Sequence, residues 1–334
     1  MAGSHVAEDD EEGDIRLQAL VTVLPGRLRR RLRRALRGRS GHRQRDAPAP
    51  TPEPQMREFV LELPRAGHKG AGGVRSLASL RLRADPHLYV PKRLEESGLA
   101  GYEPETMSCF IAALHVLPRG AVFDVGANVG VFALVAAALT DWNVIAFEPT
   151  PDLAATARAL AELNGLRYGV EELALGAQPG EASFFLSSVT DSSNSLRSGF
   201  RPSSRTITVL VSTLDDYCQE TSVRPSLLKI DTESTEPDVL RGATHLLTEE
   251  RPWIICEVLA GRSEAELMRV LEPFGYQWYQ ITEEQPFRLR HEIVGDPTYR
   301  SMNWLFVPES PGDRFWSARE RWLERLRHAA PPAP

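Results

Sequence analysis

The sequence predicts a doubly wound α/β fold, a mostly parallel sheet with helices on both faces, beginning near Glu103. Three observations carry this expectation. Apolar runs of strand length alternate with helical patterns through residues 104–274. One strand ends in an acid and passes through a glycine-containing turn into a helix: Asp124-Val125-Gly126-Ala127-Asn128-Val129-Gly130. A second strand ends in Glu148, about 20 residues after the turn, where such sheets present an acid to a bound ribose.

The elements follow in order. Residues 59–63 and 77–82 are strand-like, and the glycine-rich residues 67–73 between them predict a β-hairpin. Residues 104–117 have helical spacing, with Met107, Ile111, Leu114 and Leu117 on one side. Strand one is 121–125, followed by a helix over 129–139. Strand two is 143–147, and Asp152 starts a helix over 152–163. Residues 168–175 read as strand three, and 184–186 and 207–211 as inserted strands flanking a polar loop. Strand four is 227–230, followed by a helix over 237–247 with Pro237 in its first turn. Strand five is 253–259, with a helix over 264–274. No helix pattern separates 278–281 from 304–307, so these two close the sheet as an antiparallel pair at one edge. Residues 313–327 return to helical spacing; their stripe of Phe315, Trp316, Trp322, Leu323 and Leu326 reads as packing.

Composition bounds the function. The chain has 334 residues, 42% hydrophobic, enough for one large domain with accessory segments. We divide it into a charged, proline-rich tail (1–55), a hairpin and linker (56–102), the main domain (103–309) and a C-terminal helix and tail (310–334). The tail holds an acidic cluster and an arginine-rich run over 27–45, bounded by Arg27 and Arg45. It reads either as a solvated appendage or as a basic helix, with Leu28, Leu32, Ala35 and Leu36 on one face, contacting an anionic surface or protein. Outside residues 1–55 there are 28 basic and 37 acidic residues, a poor balance for a phosphate backbone, so no nucleic-acid partner is expected. Three cysteines fit neither a zinc site nor a disulfide framework, no apolar stretch reaches membrane-spanning length, and the N-terminus does not resemble a secretory signal. A cytoplasmic protein is expected.

The motifs narrow the chemistry. Gly126 allows a sharp turn beside a ligand, and Gly130 allows close packing. Asn128 stands where a dinucleotide fingerprint has glycine, which favours a cofactor without a pyrophosphate. Glu148 can accept both ribose hydroxyls. Strand four runs into Asp231-Thr232-Glu233-Ser234-Thr235-Glu236, where the sheet would deliver carboxylates to the reactive end of the cofactor. The alternative reading is that some of these only start the next helix, with Ser234 or Thr235 as its cap.

With these residues in place the chain resembles the FkbM-type family of S-adenosylmethionine-dependent methyltransferases over roughly residues 85–308. The likeness rests on Gly101-Tyr102-Glu103, the turn at 124–130, Phe147-Glu148-Pro149, Ala174-Leu175-Gly176, Asn194-Ser195-Leu196, Thr213-Leu214-Asp215, Ile230-Asp231-Thr232-Glu233 and Asn303-Trp304-Leu305-Phe306, in that order. Ser234 stands where the family usually has glycine. The resemblance implies a Rossmann-like class I methyltransferase sheet of seven strands, the last antiparallel, preceded by an N-terminal extension. It implies S-adenosylmethionine held by Glu103, Asp124, Gly126, Asn128, Gly130, Glu148, Ala174 and Leu175. It also implies methyl transfer to a hydroxyl of a small-molecule acceptor, a sugar or natural product, with Asp231 or Glu233 as the base. No metal ligand is assigned: no histidine cluster suits zinc or iron, and paired carboxylates suit only a hard cation. The rivals are a non-catalytic fold that binds the same cofactor and a nicotinamide-dependent oxidoreductase.

Overall fold

The computed structural model describes residues 56–64, 78–284 and 286–329. The expectations for residues 1–55 and for the glycine-rich link 67–73 lie outside the described residues. β1 (Arg57–Glu62) and β2 (Ser79–Ala84) pair antiparallel, with Phe59 opposite Leu82 and Leu61 opposite Leu80. Alternation puts those four apolar side chains on one buried face. They share a hydrophobic core with the main domain, and Asn164 joins Arg81 by two hydrogen bonds to its backbone, 2.7 and 2.8 Å.

After α1 (Tyr89–Ser97) and α2 (Pro104–Val116) the chain enters the central sheet. β3 (Ala121–Val125), α3 (Val131–Leu139), β4 (Asn143–Phe147), α4 (Pro151–Leu163) and β5 (Gly169–Glu171) build one half. A second sheet of three strands is inserted there, β6 (Ala174–Leu175), β7 (Gly180–Ser187) and β8 (Ser203–Ser212), in the order β6-β8-β7. The other half comprises α5 (Leu214–Thr221), β9 (Pro225–Ile230), α6 (Glu236–Arg241), β10 (Trp253–Glu257), α7 (Glu264–Leu271), β11 (Gln277–Gln280), β12 (Leu289–Arg290), β13 (Asn303–Val307) and α8 (Asp313–Arg327).

The central sheet runs β12-β11-β13-β10-β9-β3-β4-β5. β10, β9, β3, β4 and β5 are parallel, and β13 is antiparallel to both its neighbours. This is the doubly wound, Rossmann-like sheet expected, with its last strand antiparallel. The difference is an eighth strand, the two-residue β12, which pairs with β11 at the edge. The order reverses between β3 and β9, so a crevice opens beyond their carboxyl ends.

Two boundaries differ in an instructive way. The expected third strand, 168–175, is two: β5 belongs to the central sheet, whereas β6 pairs with β8 in the small one. Glu171 and Glu172 interrupt the apolar run where the chain changes sheet, and Leu173 after them is fully buried. The helix expected over 237–247 is interrupted: α6 ends at Arg241, a turn follows at Gly242, where a Cβ would stand 2.2 Å from the Gly176 carbonyl oxygen, and a π-helical turn resumes over Leu246–Glu250. The aromatic stripe of α8 packs on α2, where Trp322 donates to His115 at 3.1 Å and Arg327 pairs with Glu105 at 2.9 Å. Among the described residues no helix is long and apolar enough to cross a membrane.

Candidate active site

The site starts where β3 ends. Asp124 is buried, and its carboxylate accepts the Ala133 N–H at 3.0 Å, joining the strand end to the first turn of α3. Burial pushes Asp124 up to about 7, against the opposing pull of Lys229. At Gly126 the chain turns with φ 77°, and a Cβ would stand 1.8 Å from the Asp231 carbonyl oxygen, so only glycine fits between β3 and β9. Asn128 also takes a left-handed conformation, φ 52°, one that asparagine tolerates better than most residues. It therefore fills the third fingerprint position without distorting the turn. Gly130 has φ 78° and caps α3, but faces Ala157 of α4 and Tyr168, away from the cavity. Its close packing is thus against a helix rather than a strand.

Glu148 follows β4. It is 5% exposed, and each carboxylate oxygen accepts one backbone N–H, from Thr150 at 2.8 Å and from Asn128 at 2.9 Å. One acceptor direction per oxygen remains for a pair of hydroxyls. Burial pushes Glu148 up to about 7, although those amides favour the charged form.

At the end of β9 the acids take separate roles. Lys229, 1% exposed, donates to Asp231 Oδ2 at 2.9 Å. Burial disfavours its charge, but Asp231 and Glu103 outweigh that and hold the ammonium above its ordinary value. Sequence reasoning passed over Lys229; its signal was a charged residue inside an apolar strand. Glu233 and Ser234 have φ 55° and 80°, so the glycine usual at the Ser234 position answers a conformational demand that serine also meets. Glu236 is structural. Its Oε1 accepts from Thr232 N, Thr232 Oγ1 and Ser234 N at 3.0–3.1 Å, tying the loop to the start of α6. Thr235 does not cap that helix with its side chain; its hydroxyl donates to the Thr232 carbonyl instead.

These residues meet in one cavity of about 630 Å³. Glu103, Asp124, Gly126, Asn128, Glu148, Ala174, Leu175, Asp231 and Glu233 all line it; Gly130 does not. Glu103 reaches it from a left-handed residue at the start of α2 and accepts from Asn303 at 3.0 Å. Glu257, at the end of β10, is also on the wall and 6% exposed. Burial, then Asp231 and Glu233, push Glu257 well above the carboxylate range, and burial with Asp231 pushes Glu233 to about 9. Besides the acids, Lys229 and Arg201, its wall includes the apolar side chains of Phe147, Leu153, Leu173 and Leu175.

The sheet, the switch-point crevice and an acid on each of two adjacent strands define an α/β domain with a candidate ligand site beyond the strand ends. Residues 124–288 match the model of the methyltransferase FkbM domain. The hexuronic acid methyltransferase AglP of Haloferax volcanii is 30% identical over 156 residues, covering 45% of this chain and 60% of that protein. Among solved structures, the methyltransferase FkbM of Methylobacillus flagellatus KT is 17% identical with TM-score 0.37, covering 57% of this chain and 45% of that one. A precorrin-6y C5,15-methyltransferase from Geobacter metallireducens is 10% identical with TM-score 0.36, covering 60% and 87%.

Proposed function

We propose that the protein is an S-adenosylmethionine-dependent methyltransferase acting on a hydroxyl of a sugar-like acceptor in the cytoplasm. The observation that carries this reading is the excess of carboxylates around one cavity: buried Asp124, Glu148 and Glu257 and half-buried Glu103, Asp231 and Glu233, beside buried Lys229. Such a wall suits a cationic cofactor and repels a pyrophosphate, which disfavours a nicotinamide dinucleotide. The residues fit the group in detail. Glu148 has acceptor capacity for the ribose, the apolar wall suits the adenine, and Glu103 and Asp124 face the charged amino-acid end. When bound, the cofactor supplies an electrophilic methyl group. The chain's own work is to hold the acceptor oxygen in line and take its proton, for which Asp231 and Glu233 are placed.

The FkbM match and the hexuronic acid methyltransferase relative support a sugar acceptor. Arg201 and Arg300 on the cavity wall would complement an acidic one. The test is transfer of labelled methyl from S-adenosylmethionine into a lysate of the source organism, with the product identified by mass spectrometry. A labelled methyl ether on a sugar or related hydroxyl is expected. Label confined to what appears without the protein would overturn the reading.

A further inference from the structure

We infer that Asp231, Glu233 and Glu257 form a binding site for one hard divalent cation. One carboxylate oxygen from each lies within 4.8 Å of the others. Three oxygens spaced evenly around a cation with bonds of roughly 2.3–2.6 Å stand about 4.0–4.5 Å apart, so a shift of a few tenths of an ångström brings the three into one coordination sphere of calcium size. A further contraction of the half-buried Glu233 loop would fit magnesium or manganese, whose bonds are near 2.1 Å.

Proximity of acids alone would not make a site; the state of Glu257 does. Glu257 is 6% exposed, and its Oε2 is buried without a hydrogen-bond partner among the described residues. It stands at the end of β10 and lines the cavity beside the other two acids. Leaving a buried carboxylate oxygen without a donor or cation costs several times what a satisfied one does. Asn303, opposite Glu257 on β13, and Glu236 each carry a further buried oxygen without a partner, Oδ1 and Oε2. The shortage in this corner is therefore of electrophiles for oxygen. Lys229 meets part of it, but binds Asp231 through Oδ2, leaving Oδ1 for a cation. All the candidate ligands are oxygens, which selects a hard ion over zinc.

A cation here would sit where the acceptor hydroxyl must arrive, and would ease loss of its proton to a neighbouring carboxylate as the new O–C bond forms. That role rests on the methyl-transfer reading; the binding does not.

The test uses the full chain, first stripped with chelator, and manganese(II) titrated by the loss of its free-ion electron paramagnetic resonance signal. One equivalent should be sequestered, displaceable by magnesium or calcium. Glu257→Gln and Glu233→Gln should each weaken manganese binding by about 10-fold or more while the circular dichroism melt stays cooperative. Competition on the wild type keeps the test decisive if a variant unfolds. S-adenosylhomocysteine binding is measured in parallel. Cofactor binding without sequestration of manganese overturns the cation site and leaves the methyltransferase reading standing. Sequestration without cofactor binding supports the site and counts against that reading. Equal manganese binding by wild type and both variants overturns the site.

Discussion

Ser234 shows how much a single backbone angle decides. At φ 80° an L-residue is strained by roughly 1–2 kcal/mol, and its buried hydroxyl has no partner. Ser234→Gly removes both penalties at an entropic cost of about 0.5–1 kcal/mol. The expected outcome is a gain near 1 kcal/mol, read as a melting temperature about 2 °C higher, with cofactor affinity unchanged. Glu148 makes a second prediction. Its carboxyl titrates near 7 in the fold against an ordinary 4.5, so its contribution to stability is present below 4.5 and is lost as pH rises through 7. Cofactor binding has the opposite sign, because two hydroxyl donors need the ionised form. Affinity for S-adenosylhomocysteine should therefore fall as pH drops from 8 to 6 by about 10-fold per unit below 7. Glu148→Gln should flatten that dependence in calorimetric titrations at several pH values. Glu148 was legible in the sequence, since an acid at a strand end has a known use. Lys229 stands out in the sequence as a charge inside an apolar strand and Glu257 as an acid at a strand end, but what each faces is readable only once β9 and β10 lie side by side.

At the level of elements, the alternation of apolar runs was enough to place β3, β4, β9, β10, β11 and β13 and to make the last antiparallel. It missed the change of partner between β5 and β6, where Glu171 and Glu172 break the apolar run, and the break after α6, where Gly242 packs on Gly176, 66 residues away in sequence. Which sheet β6 joins and what Gly242 meets are tertiary facts. The end of β9 is the element on which the proposed chemistry depends. There Asp231 is held by Lys229, and its carbonyl oxygen sits behind Gly126. If Asp231 takes part in proton removal, Asp231→Asn should leave cofactor binding nearly intact and lower the methyl-transfer rate by roughly 10²–10⁴. Removing its charge also leaves buried Lys229 with less compensation, so the melt should move down. Near-normal turnover in single-turnover assays would remove Asp231 from the mechanism and pass the role to Glu233.

For the molecule as a whole, the hairpin β1–β2 belongs to the main hydrophobic core, whereas the composition of residues 1–55 supplies little to bury. A chain starting at Gln55 should keep its melting temperature and its affinity for S-adenosylhomocysteine. A large drop in either would mean that the arginine-rich segment supports the domain or its site. The central claim is that one cavity at the switch point binds a sulfonium cofactor through Glu148. Its most direct test is calorimetric titration of S-adenosylhomocysteine and of NAD into the wild type and into Glu148→Ala. The account predicts one site for S-adenosylhomocysteine, none for NAD, and a loss of about 1.5–3 kcal/mol in the variant, since a charge-assisted contact to two hydroxyls disappears. Unchanged affinity in a folded variant, or binding of NAD in place of S-adenosylhomocysteine, would contradict it.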